Sequence, residues 1–291
     1  MSSGKVGTDV GPTNNGAGAA HAGVEERAVS LAHRMLSGAG QASVVAYRLE
    51  GQPTVTSVAH GLTRRGELVV ATTVGPAEVG ADALVPGEPM DVRVDITKIA
   101  PEPDVRIVAA SMHLLASLEW LHPLDAELLR GSGELPDLVA AVAGAPGGRL
   151  AVLDTARVIL HDGTGATPLA FAHLQQHGRN GAVASGYVQE LESAALDAVT
   201  DVDRLDLAAL CDAAEQGWIP AHLLTRTPSL GGCQHTLERD FVVDVDRTGV
   251  TVLRHGAEET SVYFVPFDLR SAAPGGAAAH LRTLLGVRSA A

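Results

Sequence analysis

Apolar positions recur at helical spacing from Val24 to Leu36, where Val24, Ala28, Leu31, Ala32 and Met35 share one face. Gly38 and Gly40 follow and suit a left-handed C-cap. The period then changes. ASVVAYRLE and TVTSVAHGL are β-branched runs divided by Gly-Gln-Pro, a hairpin signal, and TRRG turns the chain into a third strand, ELVVATT. A short helical insert is predicted over Pro76–Ala83. In MDVRVDITKI the alternation is strict: Val92, Val94 and Ile96 point one way, Arg93, Asp95 and Thr97 the other, as in a strand with one buried and one wetter face. Asp104–Leu121 reads as a long bent strand; a helix rivals it in the second half, because Leu114, Leu115 and Leu118 also fit a 3.6 period. DAELLRG and ELPDLVAAVAG are short helices, and RLAVLDTARVILH returns as one closing strand. Six strands with short turns predict a small closed or nearly closed antiparallel barrel.

A different pattern follows. The chain from TPLAFAHLQQH to ESAALDAV, and then RLDLAALCDAAEQ, reads as helical. HTLERDFVVDVD, GVTVLRH and TSVYFVPF are three strands of a meander with DRTG as a hairpin turn, and PGGAAAHLRTLLG is a closing helix that Pro274 opens. The expected organisation is a disordered tail over 1–23, a barrel over 24–162, a linker or hinge with a short helix over 163–186, and an α+β domain over 187–291.

Composition narrows the class. Hydrophobic residues make up 46% of the 291 residues and charged residues 19%, enough apolar material for packed cores. The net charge of −13 argues against nucleic acid or an anionic membrane as partner. Among 21 basic residues only Lys5 and Lys98 are lysines, so an anion site must use arginine or backbone N–H groups. Cys211 and Cys233 form no CxxC pair, residues 1–23 carry no apolar signal core, and no apolar run reaches the ~18 residues of a membrane span. A soluble, cytoplasmic protein is expected.

Several short motifs have a plain reading beside a chemical one. DVDRTG imitates the start of a calcium loop, but His255 stands where a bidentate glutamate is needed, so a hairpin turn is expected. HDGTGATP offers Gly163 and Gly165 but puts Pro168 at the third glycine position of a dinucleotide loop. His173 and His177 stand at i, i+4 without a third ligand, and no metal site is predicted. GGCQHTLERD gathers Cys233, His235, Glu238 and Arg239, which reads first as a polar loop entering a strand. His60, Arg64, Arg65, Thr72 and Thr73 surround one hairpin, with the threonines at the end away from the arginine tip. His113 sits among Met112, Leu114 and Leu115, a core or interface position.

With these elements in order, QASVVAYRLEGQPTVTSVAHGLTRRGELVVATT resembles the signature stretch of the pyridoxamine-phosphate-oxidase-like, FMN-binding split β-barrel family. The second half, from YVQELESAALDAV through LRTLLG, resembles the small α+β domain of the haem-utilisation branch. The resemblance spans roughly residues 24–286 and rests on the order of elements. It implies an α+β chain: an N-terminal six-stranded antiparallel split barrel, then a helix-helix-three-stranded-meander-helix domain. It also implies a homodimer with haem or FMN in the groove between subunits, where Arg64 and Arg65 could meet Thr72 and Thr73 of the partner. His60, His113 and His255 complete the candidate set, and no catalytic residue is assigned. The activity implied is an FMN- or haem-dependent oxidoreductase or haem-degradation function; a non-catalytic binding or regulatory protein on the same scaffold is the alternative. VGPAEVG lacks the cation with which flavin-binding members hold the phosphate, and the helix LESAALDAVTDVD lacks the histidine customary in the second domain.

Overall fold

The computed structural model describes residues 15–180, 193, 197–229, 231, 236–267 and 276–286. Helix α1 spans Asn15–Leu36, starting earlier than its apolar stripe, and ends where Gly38 and Gly40 take φ values of 113° and 108°. A side chain on Gly40 would also meet the Thr97 carbonyl oxygen at 2.7 Å, so this corner is open only to glycine.

Strands β1 (Gln41–Val45), β2 (Thr54–Leu62), β3 (Leu68–Thr72), β4 (Met90–Ile99), β5 (Val108–Trp120) and β6 (Arg149–Asp154) run in the order β4-β1-β2-β3-β6-β5. The β4–β5 pairing closes the ring, giving a six-stranded antiparallel barrel. Val92, Val94 and Ile96 line its interior with Met112, Leu114 and Leu118. The rival helix over the second half of Asp104–Leu121 does not form: β5 is strand throughout, because nearly its whole length pairs with β4. β3 is buried on both faces. Leu68 and Val70 enter the barrel, while Val69 and Ala71 lie under α4 (Asp137–Ala143), which packs beside α3 (Pro123–Gly131). Between β3 and β4, α2 (Pro76–Val79) and a 3-10 turn (Asp82–Leu84) form the insert, which the Trp120 indole N–H fixes by donating to the Ala83 carbonyl at 2.8 Å.

Three expectations change. The closing strand is two strands, because β5 is long enough to serve two neighbours: Ser117–Trp120 pair with β6, and Ser111–Leu114 pair with β7 (Arg157–Asp162). The Thr155 hydroxyl fills the gap between them by donating to the Leu115 carbonyl. Second, TPLA is not helical but part of β8 (Gly165–Ala170), paired antiparallel with β7; helix α5 (Phe171–Asn180) begins only afterwards and sends Phe171 and Leu174 into the barrel core. The glycines of HDGTG are thus a hairpin turn, with Asp162 Oδ1 accepting from the Thr164 N–H and hydroxyl. Third, the other sheet has four strands, not three. Its order is β10 (Arg239–Val245), β11 (Gly249–His255), β12 (Glu259–Pro266), β9 (His222–Pro228). β9 has little apolar alternation because it is a half-exposed edge strand. Helices α6 (Arg204–Glu215) and α7 (Gly276–Gly286) cover this sheet around Leu210, Val242, Val252 and Leu281, so the chain is a mixed α+β fold whose two largest cores lie in the barrel and under this sheet. DRTG is a hairpin turn: the Asp246 N–H donates to the Gly249 carbonyl, and Asp246 Oδ1 accepts from Thr248. GGCQH lies outside the described residues except Gly231, as do Pro274 and most of GRNGAVASG and LESAALDAV.

α1 joins the two units. Its apolar stripe (Ala28, Leu31, Ala32, Met35) belongs to the barrel core. The stripe beside it, Arg27, Ser30 and Arg34, is equally buried and meets the second sheet. Arg34 forks onto Asp244 with Nη1 at 3.2 Å and Nη2 at 2.5 Å, Ser30 donates to Asp246 at 2.6 Å, and Lys98 stands 3.5 Å from Asp244. Burial alone would raise the Asp244 carboxyl, but Arg34 and Lys98 outweigh it and hold it well below the usual carboxylate range.

Two buried histidines, His33 on α1 and His60 beneath it, are neutral. Burial, aided by His177, Arg247 and Arg34, pushes the His33 imidazole from 6.5 down to about 4. His60, also lowered by burial, donates Nε2–H to the Met35 carbonyl at 2.7 Å. Both regain ordinary values on unfolding, so the unfolded chain binds more protons below pH 6.5 and stability falls as pH falls. His33 alone is expected to cost about 2 kcal/mol between pH 7 and pH 5. Urea unfolding at the two pH values checks this, and His33→Leu should flatten the profile.

Candidate functional site

The barrel wall presents a flat outer face built by register. On β4 the outward residues are Arg93, Asp95 and Thr97; opposite them on β5 stand Leu115, His113 and Ser111. On β7, Ile159 faces His113 and His161 faces Ser111, with Arg157 two residues before Ile159 on the same side. The result is a three-by-three grid: Arg–Leu–Arg, Asp–His–Ile and Thr–Ser–His. By strand geometry it measures about 14 by 10 Å. Leu115 is 63% exposed, Ile159 38%, and Val108 at the end of the β5 column 58%, so apolar side chains stand in the open between the polar ones.

His113 occupies the centre. Its Nδ1 lies 2.5 Å from Asp95 Oδ1, and since a carboxylate only accepts, Nδ1–H donates. Asp95 Oδ2 in turn takes Arg93 Nε at 2.9 Å. This chain fixes the tautomer and leaves the Nε2 lone pair of a half-exposed imidazole with no hydrogen-bond partner among the described residues. The His161 ring stands edge-on at 5.0 Å between centroids. Among the described residues no group of three or more His, Cys, Asp or Glu is arranged to hold a bare metal ion. His113 thus presents one oriented imidazole on a face of mixed character, with Leu115 and Ile159 beside it among polar neighbours.

The other expected site residues occupy different places. Arg64 and Arg65 are exposed at the β2–β3 tip, Arg65 3.7 Å from Glu134. Thr72 closes the opposite end of β3, fully buried, and its hydroxyl accepts the Val74 N–H at 3.1 Å. Thr73 beside it is exposed. His60 lies beneath α1, and His255 ends β11 on the other sheet, opposite Thr260. The end of β3 does not fit a flavin phosphate: of the two threonines only Thr73 is open, and Val74–Gly80 contains no cation. Arg93 and Asp95 were visible in the sequence as the wet face of a strand. What sequence could not show is the β5–β7 register that adds His161 and Ile159.

The fold defines a class: a closed six-stranded antiparallel barrel with an appended α+β unit. No protein-family model matches the chain, and no curated protein does. Among solved structures, a haem-binding protein from Mycobacterium smegmatis is similar at 16% identity and a TM-score of 0.44, over 91% of this chain and 98% of that one. A pyridoxinephosphate oxidase family protein from Clostridium acetobutylicum matches at 10% identity and a TM-score of 0.31, covering 53% of this chain and 98% of its own. An FAD- and haem-binding protein from Mycobacterium smegmatis matches at 16% identity and a TM-score of 0.29, over 45% and 69%.

Proposed function

We propose that this chain binds haem on the outer face of β4, β5 and β7, with His113 as the iron ligand. The observation that carries it is the Asp95–His113 pair at the centre of the exposed grid: an oriented imidazole with a free Nε2. The surround fits the rest of a tetrapyrrole. Leu115, Ile159 and Val108 offer apolar contact to a macrocycle, and Arg93 and Arg157 offer guanidinium groups to its carboxylates. Asp95 holds the His113 ring and its tautomer so that Nε2 faces outward. Bound haem would supply one-electron iron chemistry; the chain's part is to hold and orient it. A homodimer is part of the proposal, because a second copy laid over this face would cover Leu115 and Ile159. Flavin is disfavoured because the Thr72 hydroxyl is fully buried and Val74–Gly80 brings no cation to the end of β3. The test is absorbance titration of the purified protein with haemin and with FMN. A saturable Soret shift with haemin and none of the changes of bound flavin is expected; no Soret shift at any haemin ratio overturns the proposal.

A further inference from the structure

Beside the grid, between the barrel and the second sheet, lies a cavity of about 280 Å³. Val243, Leu253 and Val262 wall it on the sheet side, Ser111 and His161 border it on the barrel side, and Arg27 and Thr251, each 2% exposed, form its buried end. At ~30 Å³ per water this is room for about nine waters, below the 300 Å³ at which drug-sized sites begin. It admits a small molecule or one arm of a larger one.

The polar hydrogens at its buried end point to one ligand chemistry. Arg27 commits Nε to Thr251 Oγ1 at 2.9 Å and Nη1 to Asp162 at 2.6 Å. Its Nη2 has no hydrogen-bond partner among the described residues, although the side chain is almost wholly buried and lines the cavity. Thr251 Oγ1 accepts from Arg27, so its own proton is available. Asp162 does not compete for that role, because its carboxylate already takes Arg27, the Thr164 N–H and the Thr164 hydroxyl. Ser111 adds another hydroxyl. At the buried end the uncommitted hydrogens belong to the Arg27 guanidinium, which is paired with Asp162 and lies over the Phe264 ring, and to the Thr251 hydroxyl; Ser111 and His161 at the barrel side can donate or accept.

We infer that this cleft binds an organic carboxylate through Arg27 and Thr251, with a short apolar stem held by Val243, Leu253 and Val262. The carboxylate could belong to a free small acid or be a propionate arm reaching in from a haem on the adjoining grid. The inference does not depend on haem.

The test is calorimetric or ligand-observed NMR titration of the full chain with propionate, butyrate and benzoate. Saturable binding of at least one is expected, with Thr251→Val weakening it at least tenfold. Leu253→Trp, which fills the cleft from a half-exposed position and leaves the Arg27 contacts in place, should abolish it even if Thr251→Val folds poorly. Haemin that displaces the bound acid identifies a propionate arm; an acid that stays bound beside haemin identifies a free ligand, and both uphold the site. No saturable binding of any of the three acids, or binding unchanged in Leu253→Trp, overturns it.

Discussion

Replacing Arg34 by alanine is expected to destabilise the protein by about 3–5 kcal/mol, the cost of leaving a buried charge without its partner. Arg34 contributes the two-pronged contact to Asp244 and lies 3.4 Å from Asp246, and all three side chains are at most 5% exposed. Lys98 remains near Asp244 in the variant but reaches one oxygen, at 3.5 Å. The sign of the pH effect follows. The Asp244 carboxyl is held low in the native protein, so its stabilising contribution is present above the unfolded value of about 4 and lost as pH falls. The deficit of Arg34→Ala should therefore narrow below pH 4. Guanidinium unfolding of both proteins at pH 7 and pH 3.5 measures this; equal stability at pH 7 would mean the layer is wet and the arginine dispensable.

The second large effect concerns His113. If its Nε2 carries the iron, His113→Ala should lower haemin affinity at least a hundredfold and remove the Soret shift, while the fold persists, because the side chain stands on the solvent face of β5. Asp95→Asn should cost less, about 10–100-fold, since it weakens the contact that orients the ring but keeps the ligand. A difference between the two variants distinguishes ligation from general damage to the sheet. Absorbance titrations supply the affinities, and the melting temperatures of the unliganded variants supply the control. Unchanged haemin affinity in His113→Ala would assign the iron elsewhere.

Strong local periodicity made much of the fold legible. MDVRVDITKI reads as a strand from alternation alone, and β4 occupies those ten residues. α1 was recognisable by its apolar stripe, and DRTG by its turn chemistry. β9 escaped notice because an edge strand with exposed Leu223 lacks the alternation of a half-buried one. The break at Thr155 escaped because two partners of β5, not any breaker residue, impose it. For the site, His113 was a candidate by type, but Asp95 lies 18 residues away and becomes its partner only through the β4–β5 register. Likewise the second stripe of α1 looks in sequence like a solvated helix face. Arg27, Ser30 and Arg34 are ordinary surface residue types, and only the second sheet turns them into an interior layer.

That layer also sets a timetable for synthesis. Arg34 and Asp244 are separated by 210 residues, so at 5–20 residues per second the ribosome needs roughly 10–40 s to deliver the carboxylate after the arginine. During that interval the nascent barrel can close around Leu31 and Met35 while Arg34, on the adjacent stripe of the same helix, still lacks the Asp244 carboxylate. A chain cut short before β10 would keep the Arg27–Asp162 pair but leave Arg34 without the Asp244 and Asp246 carboxylates that hold it in the full chain.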